Sequence, residues 1–332
     1  MRTRPGDLAD KDLADCLLAC WGLNVLRLEY VPVGGGSHHW LAGDAAGKKY
    51  WVTVDALDHD KGYLGDTPPE AFNGLRCALD TALALRETGL EFVVVPLRSE
   101  RGETVELLGA RYAVAVYPYL PGTSGEFGIP LSPDDRAQVV DMLVRLHQAT
   151  PAVAGLARPW RLAVASRPSF EDALDNLDQP WTGGPFAEPA RQMVASHAPA
   201  LRRLLATFDE LAAAVGAAAL EQVITHGEPH PANFIHADGR LFMVDWDTVG
   251  LGPPERDLWM ISTDAGDELA RYTDLSGRHV HPTALRLYRL RWRVDDISIV
   301  VAGFRSAHAE TADMARAWQF LTRFLASPDS WC

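Results

Sequence analysis

The sequence predicts an α+β fold, in which a mainly antiparallel sheet precedes a larger and mostly helical region. Short apolar runs separated by glycine and proline turns recur within residues 26–117, a pattern typical of strands. After Pro118 apolar residues recur mostly at helical spacing. At 332 residues the chain is long enough for two lobes. We therefore predict an N-terminal lobe at 1–117, a connecting segment at 118–122 and a C-terminal lobe at 123–332.

Two helices are predicted in the N-terminal lobe, over 7–22 and over about 68–88. In both stretches apolar residues recur at intervals of three and four. Pro68 and Pro69 suit the first turn of the second helix, because proline has a helical φ, and Gly89 suits its end.

The strands of this lobe are predicted at 26–33, 40–42, 49–54, 91–96, 104–108 and 112–117. Between the first two lies a glycine turn, Gly34-Gly35-Gly36-Ser37. Glycines there let backbone N–H groups approach phosphate oxygens without side-chain obstruction. By itself the run is weak evidence, because most such runs are ordinary hairpin loops.

The C-terminal lobe is predicted to be helical. Ser132 and Pro133 form a typical helix start, with a capping hydroxyl and a proline in the first turn. Residues 150–187 are rich in proline and glycine and are expected to be mostly loop. Long helices are expected at about 188–216, 283–305 and 308–326.

The net charge of −13 excludes some partners. Nucleic acids and anionic membranes require a basic surface, so neither is expected. Such acidity suits a cationic small molecule, although it also serves solubility alone. No run of about 18 apolar residues is free of charge, so no transmembrane helix is expected, and the polar N-terminus does not indicate a secretory signal. The four cysteines lack zinc-site spacing, and we expect a cytoplasmic enzyme.

The most informative motif is His226-Gly-Glu228-Pro-His-Pro-Ala-Asn233, followed by Asp245-Trp-Asp247 at the end of a strand-like run. A carboxylate precedes a carboxamide by five residues, and an acidic pair begins twelve residues later. Kinases need such a set, because a carboxylate orients the attacking hydroxyl while Asn and Asp hold magnesium. A zinc pair of His226 and His230 is a weak alternative, because Pro229 and Pro231 prevent the required helix.

The motif resembles that of the aminoglycoside phosphotransferase family, normally His-Gly-Asp-x-x-x-x-Asn and then a strand ending in Asp. The resemblance implies a protein-kinase-like bilobal fold and transfer of the γ-phosphate of ATP or GTP, with Mg²⁺, to a small-molecule hydroxyl. It assigns the catalytic base to Glu228 and magnesium to Asn233 and Asp245. Asp247 would be a further metal contact, and His226 would brace the catalytic loop. Asp257 matches an acid that ties the C-terminal lobe together.

The resemblance also assigns the nucleotide site. Gly34, Gly35, Gly36 and Ser37 would cover the phosphates. The segment 118–122 would be the hinge between the lobes, with Tyr117 and Tyr119 beside the base.

Two positions depart from the family pattern. Glu228 replaces the usual Asp, so either the loop is adapted to the longer side chain or the enzyme is weakened. Thr53 occupies the place of the phosphate-binding lysine, for which Lys61 or Arg76 could substitute. Trp51 shares a strand face with Thr53 and would stack on the base, unless it belongs to the core.

No motif identifies the acceptor site. Acidic residues that could contact a cationic acceptor are Asp264, Asp267, Asp295 and Asp296. The last two adjoin an apolar run, so at least one is expected to point inward and to need a cation or a hydrogen-bond donor.

The sequence therefore predicts a phosphotransferase for a small, amine-bearing molecule such as an aminoglycoside or aminocyclitol antibiotic, with a role in resistance or self-protection. The alternatives are a metabolite kinase of homoserine, choline or sugar type and a pseudokinase that only binds its ligands. A monomer or a homodimer is expected.

Overall fold

The computed structural model describes residues 1–57 and 63–326. Its contacts group into two compact units. The first comprises Met1–Trp160 with Glu221–Val280, and the second comprises Arg161–Leu220 with His281–Cys332. The predicted sheet and both halves of the kinase-like motif fall within the first unit.

A five-stranded antiparallel sheet forms the N-terminal part of the first unit. Its strands are β1 (Val25–Val31), β2 (His38–Asp44), β3 (Lys49–Ala56), β4 (Glu106–Leu108) and β5 (Tyr112–Pro118). They lie in the order β1-β2-β3-β5-β4. Because β3 pairs with both β2 and β5, the predicted nucleotide-binding strand is central in the sheet.

The two faces of the sheet have different neighbours. On one face, Tyr50, Val52 and Val54 of β3 share a buried apolar cluster with helix α1 (Asp10–Trp21). On the other face, alanines of β5 pack against helix α2 (Pro68–Glu87). We call this second side the Thr53 face. It carries alternate residues of β3 and, opposite Trp51, Tyr117 of β5. Both predicted helices of the lobe are confirmed within a few residues.

The strand predicted at 91–96 is wrong. This segment makes a single parallel bridge, between Val93 and Met243. Val94 donates to the carbonyl of Met243, whose own N–H donates to the carbonyl of Phe92. The apolar run is buried beside a later strand and does not join the sheet. The prediction was wrong because burial alone and strand pairing produce the same apolar pattern in a short segment.

Short strands follow the sheet in the first unit. They are β6 (Thr123–Ser124), β7 (Val223–Thr225), β8 (Phe234–Ala237), β9 (Arg240–Met243) and β10 (Gly250–Gly252). β8 pairs with both β6 and β9, and β10 pairs with β7. These pairings enclose the segment from His226 to Asp247, so strands fix both ends of the motif.

Helices account for much of the remaining chain. They are α3 (Pro133–Gln148), α4 (Thr150–Val153), α5 (Arg167–Asp175), α6 (Ala187–Ala217), α7 (Glu255–Ile261), α8 (Asp267–Ser276), α9 (Pro282–Arg305) and α10 (Ala312–Leu325). The hydroxyl of Ser132 accepts from the N–H of Asp135, which confirms the predicted cap. α10 begins later than predicted, after its capping residue Thr311.

Several short helices were not predicted. α5, which lies in the supposed loop at 150–187, and α7 both begin beside prolines. A proline in the first helical turn resembles a loop signal in sequence.

The second unit consists of helices around its own apolar core. The helices are α5, α6, α9 and α10, and their buried side chains include Phe208 of α6 and Ile297 and Phe304 of α9. Asp295 and Asp296 lie in this unit, on α9.

Candidate active site

The loop after β7 carries the first half of the predicted site. The carbonyl oxygen of Glu228 accepts hydrogen bonds from the N–H of His230 at 2.8 Å and from Nδ2 of Asn233 at 2.9 Å. These bonds close the five-residue segment from Glu228 to Asn233 into a compact loop. The side chain of Glu228 is 33% exposed, so its carboxylate can meet a ligand.

His230 lies beside the carboxylate of Glu228, with 3.9 Å between Nε2 and Oε2. Burial lowers the pKa of His230 to about 4, and its ring packs edge-on against Phe127. The imidazole is therefore neutral near pH 7, and the contact is not an ion pair at that pH. The carboxyl group of Glu228 is thus flanked by a ring that carries no charge near pH 7.

His226 makes hydrogen bonds to backbone atoms at both of its ring nitrogens. Its Nε2 donates to the carbonyl of Val244 at 2.9 Å, and its Nδ1 accepts from the N–H of Glu228 at 3.2 Å. The ring of Trp246 packs edge-on at 4.6 Å. Burial lowers the pKa of His226 to about 4. Because both ring nitrogens are engaged with backbone atoms, the geometry disfavours the zinc pair.

Asp257 anchors the start of the same loop. Its carboxylate accepts from the N–H groups of His226 at 2.9 Å and Gly227 at 2.6 Å, and from Nε2 of His147 at 3.1 Å. Nδ1 of His147 lies 2.7 Å from the hydroxyl of Tyr272. Burial opposes ionisation of Asp257, but the hydrogen bond and charge of His147 outweigh it, so the pKa is lowered. This carboxylate therefore joins the start of the loop to α3 through His147.

Arg256 fills the space beside Gly227. Its guanidinium donates to the hydroxyl of Thr225 at 2.6 Å and to the carbonyl of Thr248 at 2.7 Å, and it lies 3.7 Å from the ring centre of Trp160. Gly227 has φ +99°, and a Cβ there would collide with this guanidinium. The glycine of the motif is therefore required by both backbone conformation and space.

The predicted metal ligands come from the catalytic loop and from the segment after β9. Val244 donates to the carbonyl of Asn233 at 3.0 Å, which joins the two segments. Because Nδ2 of Asn233 is committed to a carbonyl, Oδ1 is the atom that could hold a cation. Asp245 is exposed and has φ +67°, which turns the chain directly after the strand.

This donor set consists of one carboxamide and two carboxylates, those of Asp245 and Asp247. Within residues 1–57 and 63–326, no group of three or more His, Cys, Asp or Glu side chains is placed to hold a metal ion. The oxygen ligands still fit Mg²⁺, which keeps several waters and takes further oxygens from nucleotide phosphates.

Tyr63 belongs to the site and was not predicted. Its hydroxyl donates to Oδ2 of Asp247 at 2.6 Å. Burial, the charge and hydrogen bond of Asp247, and the charges of Glu228 and Asp55 raise the pKa of Tyr63 well above its ordinary range. The phenol is therefore a permanent donor that holds Asp247 in place. Nothing in the sequence marks this tyrosine, since its partner is 184 residues away.

The Thr53 face carries the predicted nucleotide residues of β3. Trp51 and Thr53 are partly exposed, and Trp51 lies opposite Tyr117. Trp51 thus lies away from the apolar cluster on the other side of β3. Asp55, on the same face, is only 3% exposed and accepts a hydrogen bond of 2.5 Å from the hydroxyl of Ser37, so the glycine turn is tied to this face.

Tyr117 lies where the sheet and the acidic segment meet. Burial, followed by the negative charges of Asp55, Asp245 and Asp247, raises the pKa of Tyr117 well above its ordinary range. The phenol of Tyr117 therefore lies close enough to Asp55 of β3 and to Asp245 and Asp247 for their charges to raise its pKa. The structure therefore brings the Thr53 face and the metal-ligand segment to the same region of the first unit.

His39 is a further residue of this face that the sequence did not single out. It lies directly opposite Thr53 in the ladder between β2 and β3. Its Nδ1 is 3.3 Å from the hydroxyl oxygen of Thr53, and its ring centre is 5.2 Å from that of Trp51. A Cβ at Gly34 would lie 3.3 Å from Nε2, so this nitrogen faces the glycine turn.

The predicted hinge follows β5 directly. Tyr119 is partly exposed, and the ammonium of Lys49 lies 5.4 Å from its ring centre. Directly after the predicted hinge, β6 pairs with β8, so the chain there lies beside the strand that follows Asn233.

The two substitutes proposed for the missing lysine have different outcomes. Lys61 lies outside the described residues. The guanidinium of Arg76 lies 3.9 Å from the carboxylate of Glu103 and donates to the side chain of Asn73. These contacts occupy Arg76 at a half-exposed position on α2, so they do not support its use for nucleotide phosphates.

The sequence profile of the APH phosphotransferase enzyme family matches residues 31–288, well over half of the chain. The chain belongs to this family. The prediction of a phosphotransferase is thus confirmed. A comparison with curated proteins found no significant match.

Solved structures share the fold over nearly their whole length. Spectinomycin phosphotransferase APH(9)-Ia, in complex with ADP and spectinomycin, has a TM-score of 0.70 at 15% identity and covers 98% of this chain and 99% of its own. The microcompartment-associated aminopropanol kinase has 0.63 at 14%, covering 97% of each chain. An amicoumacin kinase in complex with AMP-PNP and Ca²⁺ has 0.59 at 14%, covering 97% and 93%. These similarities confirm the α+β, protein-kinase-like fold.

The four candidate acceptor contacts divide between the two units. Asp264 and Asp267 are exposed in the first unit, and Asp267 begins α8. Asp295, in the second, lies 2.6 Å from a guanidinium nitrogen of Arg291. It also accepts from the N–H of Ala165 at 2.7 Å, which supplies the partners expected of an inward-pointing acid.

Asp296 differs from its neighbour Asp295. Burial and then the charge of Asp295 raise the pKa of Asp296 to about 7, so a protonated amine beside it would favour its anionic form. Both acids remain predicted substrate contacts.

The helices of residues 1–57 and 63–326 are all too short or too polar to cross a bilayer.

Proposed function

We propose that this protein is a kinase that transfers the γ-phosphate of ATP or GTP to a hydroxyl of a small, amine-bearing molecule. The observation that carries the proposal is the hydrogen bond of 2.9 Å from Nδ2 of Asn233 to the carbonyl of Glu228. It fixes the Asn233 carboxamide against the backbone of the residue that carries the carboxylate, in a loop joined by the bond from Val244 to Asn233 to the segment with the next acids. Phosphoryl transfer requires such positioning more than it requires basicity.

Glu228 is proposed to orient the acceptor hydroxyl and to take its proton. The transition state is loose, so the proton leaves late and a carboxylate suffices as the base. Glu228 extends one methylene further than the family's Asp. Its N–H and its carbonyl both make hydrogen bonds within the loop, so the loop is ordered around the longer residue, which supports adaptation rather than damage.

Asn233 and Asp245 would hold Mg²⁺, with Asp247 as a further contact. When bound, the ion supplies charge neutralisation for the phosphate oxygens. Tyr63 holds Asp247 and the loop holds Asn233, so two of the three side chains that would bind the ion have fixed partners.

The nucleotide is proposed to lie against the Thr53 face. Trp51 is partly exposed there and would stack on the base, with Tyr117 and Tyr119 where β5 passes into the hinge at 118–122. The glycine turn would cover the phosphates, held by the bond from Ser37 to Asp55. We retain the division into a nucleotide-binding lobe at 1–117 and a catalytic lobe at 123–332 as part of this proposal.

A cationic acceptor is supported by the net charge of −13. Two of the similar structures are named for spectinomycin and amicoumacin, which supports an antibiotic acceptor and a role in resistance or self-protection. The similarity to an aminopropanol kinase keeps a metabolite kinase as a second candidate.

A substrate panel tests the proposal. Aminoglycosides, aminocyclitols, amino alcohols, choline, homoserine and sugars would be incubated with ATP or GTP and Mg²⁺, and products would be read by mass spectrometry for an added phosphate. An amine-bearing product supports the proposal, and phosphorylation of sugars alone contradicts the acceptor class. Nucleotide binding without any product over the panel would favour the pseudokinase.

A further inference from the structure

A cavity of about 410 Å³ lies in the first unit, in the size range of sites for small molecules. Its lining side chains include Glu91, Phe92, Gln138, Arg145 and Arg240. Arg240 and Met243 stand three residues apart on β9, about 10 Å at strand rise, and Asp245 follows Met243 by two residues. The cavity therefore lies at the opposite end of β9 from the predicted metal ligands.

Three guanidinium groups converge on Glu91, in one wall of this cavity. Arg86, from the last turn of α2, donates to the carbonyl of Glu91. Arg240 donates to Oε2 of Glu91 at 2.5 Å, and Nη2 of Arg145 on α3 donates to the carbonyl of Gly89 at 3.4 Å. The hydrogen bond and charge of Arg240, followed by the charges of Arg86 and Arg145, outweigh desolvation and lower the pKa of Glu91. Cations from three different elements therefore meet at one carboxylate.

These contacts leave most donors of Arg145 and Arg240 available, since a guanidinium has five N–H groups. The bond from Arg145 to Gly89 is at the upper limit of hydrogen-bond length. Within residues 1–57 and 63–326 no carboxylate forms an ion pair with Arg145, whose guanidinium lies 5.4 Å from the ring centre of Phe92. The pair of Arg240 and Glu91 is more than half exposed, so water screens it and it adds little stability.

Gln138 adds an uncharged donor to the same cavity. Gln138, Met142 and Arg145 recur at intervals of four and three residues, so they lie on one face of α3. The side chain of Gln138 is exposed and makes no hydrogen bond within the described ranges 1–57 and 63–326. The cavity thus combines two guanidinium groups and an amide with the carboxylate of Glu91, a local excess of positive charge in a chain whose net charge is −13.

We propose that this cavity binds the phosphate group of a small molecule, at a second site beyond the proposed kinase reaction. Arg145 and Arg240 would each present a planar fork that matches two phosphate oxygens, and Gln138 would donate a further hydrogen bond. Arg240 would exchange its exposed bond to Glu91 for one to the phosphate. Inorganic phosphate and a phosphate monoester share this chemistry. The monoester is favoured, because phosphate alone leaves much of a cavity of about 410 Å³ to water.

Calorimetry on the full-length protein without nucleotide tests the proposal. The probes are inorganic phosphate, glycerol phosphate and glycerol. Both phosphates should bind, glycerol should not, and tighter binding of glycerol phosphate would identify the ligand as a monoester. For Arg145→Gln the affinity for both phosphates should fall roughly 10-fold or more, the scale of a hydrogen bond to a charged group.

Arg27→Gln is the matched control for the change of charge. Arg27 is also an exposed arginine that pairs with a glutamate, at 2.8 Å to Glu29, but it lies on β1. Its variant should bind phosphate like wild type. Glu91→Gln adds a gain of affinity that a folding defect does not produce. Removing this carboxylate releases Arg240 and ends the repulsion of the anion, so phosphate should bind about threefold more tightly or better.

Three results would overturn the inference. One is the absence of binding of either phosphate by wild type at millimolar concentration. Another is wild-type affinity in Arg145→Gln, which would place the bound phosphate elsewhere, the candidate active site included. The third is an equal loss in Arg145→Gln and Arg27→Gln, which would reduce the effect to net charge. Each leaves the proposed kinase function intact, because that function is tested by product formation and not by phosphate binding.

Discussion

Nδ2 of Asn233 donates to the carbonyl oxygen of Glu228 at 2.9 Å, so one bond joins the predicted base to the predicted metal ligand. Glu228 in turn gives its N–H to His226, and the N–H of His226 is held by the buried Asp257. The backbone of the predicted base is therefore anchored, through His226, by the buried carboxylate of Asp257.

The first prediction concerns the metal. Asp245→Asn removes a charge but keeps a residue that tolerates the observed φ of +67°. If Asp245 holds Mg²⁺, turnover should fall about 100-fold or more, since a metal ion contributes several kcal/mol to charge stabilisation. Phosphate transfer would be measured at saturating nucleotide over a range of Mg²⁺ concentrations.

Asp238→Asn is the matched control for that prediction. Asp238 is also exposed and also has a positive φ, of +51°, but it lies in the turn between β8 and β9. Its variant should keep wild-type activity. Near-normal turnover in Asp245→Asn would remove the magnesium role of this residue.

The second prediction concerns Tyr63, whose hydroxyl holds Asp247. Tyr63→Phe should raise the Mg²⁺ concentration needed for half-maximal activity on the order of 10-fold, as loss of an outer partner of a metal ligand commonly does. Tyr50→Phe is the control. It removes another hydroxyl-to-carboxylate bond, of 3.2 Å to Asp44, from a tyrosine on the opposite face of the sheet. If both variants respond to Mg²⁺ alike, Asp247 does not contribute to metal binding through Tyr63.

The third prediction concerns Trp51. If its ring stacks on the base, Trp51→Ala should weaken both the nucleotide and its nucleoside by about 1–3 kcal/mol, the usual scale for base–aromatic stacking. Trp51→Phe keeps an aromatic face and should recover much of that loss. Calorimetry on folded proteins measures both. Unchanged affinity in a folded Trp51→Ala protein would assign the ring to the packing of the sheet and not to nucleotide binding.

The fourth prediction concerns stability at acid pH. His226 and His230 have folded pKa values of about 4 against about 6.5 in the unfolded chain. The unfolded state therefore binds protons first, and stability must fall as pH drops from 6.5 towards 4. Each histidine should cost about 2 kcal/mol between pH 7 and pH 5.

Urea unfolding without nucleotide measures this loss. His230→Asn, which cannot titrate in this range, should lose about 2 kcal/mol less between the two pH values than wild type. Equal losses in the two proteins would mean that His230 is not held neutral in the folded state.

The sequence predicted the parts of the site that are close in the chain. The catalytic loop closes over five residues, and Ser132 begins its helix as expected, because spacing and capping are local. Tyr63 and Asp55 were missed because their roles come from contacts over long sequence separations. The prediction of a strand at 91–96 was wrong because an apolar run indicates that a segment is buried but does not by itself show that it pairs in a sheet.

The last prediction concerns Glu228 and separates an enzyme from a pseudokinase. Glu228→Gln keeps size and polarity but loses the charge. Turnover should fall by about 100- to 10,000-fold, the usual contribution of a general base, with little change in nucleotide affinity. The backbone bonds to Asn233 and His226 do not use the side chain, so the loop should survive the change. Phosphate transfer and nucleotide calorimetry on the same preparation measure both quantities.

Glu228→Asp is the sharper variant, because it restores the family's residue and changes only reach. If the loop is adapted to Glu, the shorter carboxylate retreats from the hydroxyl by about 1 Å, which can cost on the order of 100-fold in rate. A rate increase would instead identify Glu228 as a damaged base. If wild type and Glu228→Asp both bind nucleotide but phosphorylate nothing over a broad acceptor panel, the protein is a pseudokinase, since neither carboxylate length then supports transfer.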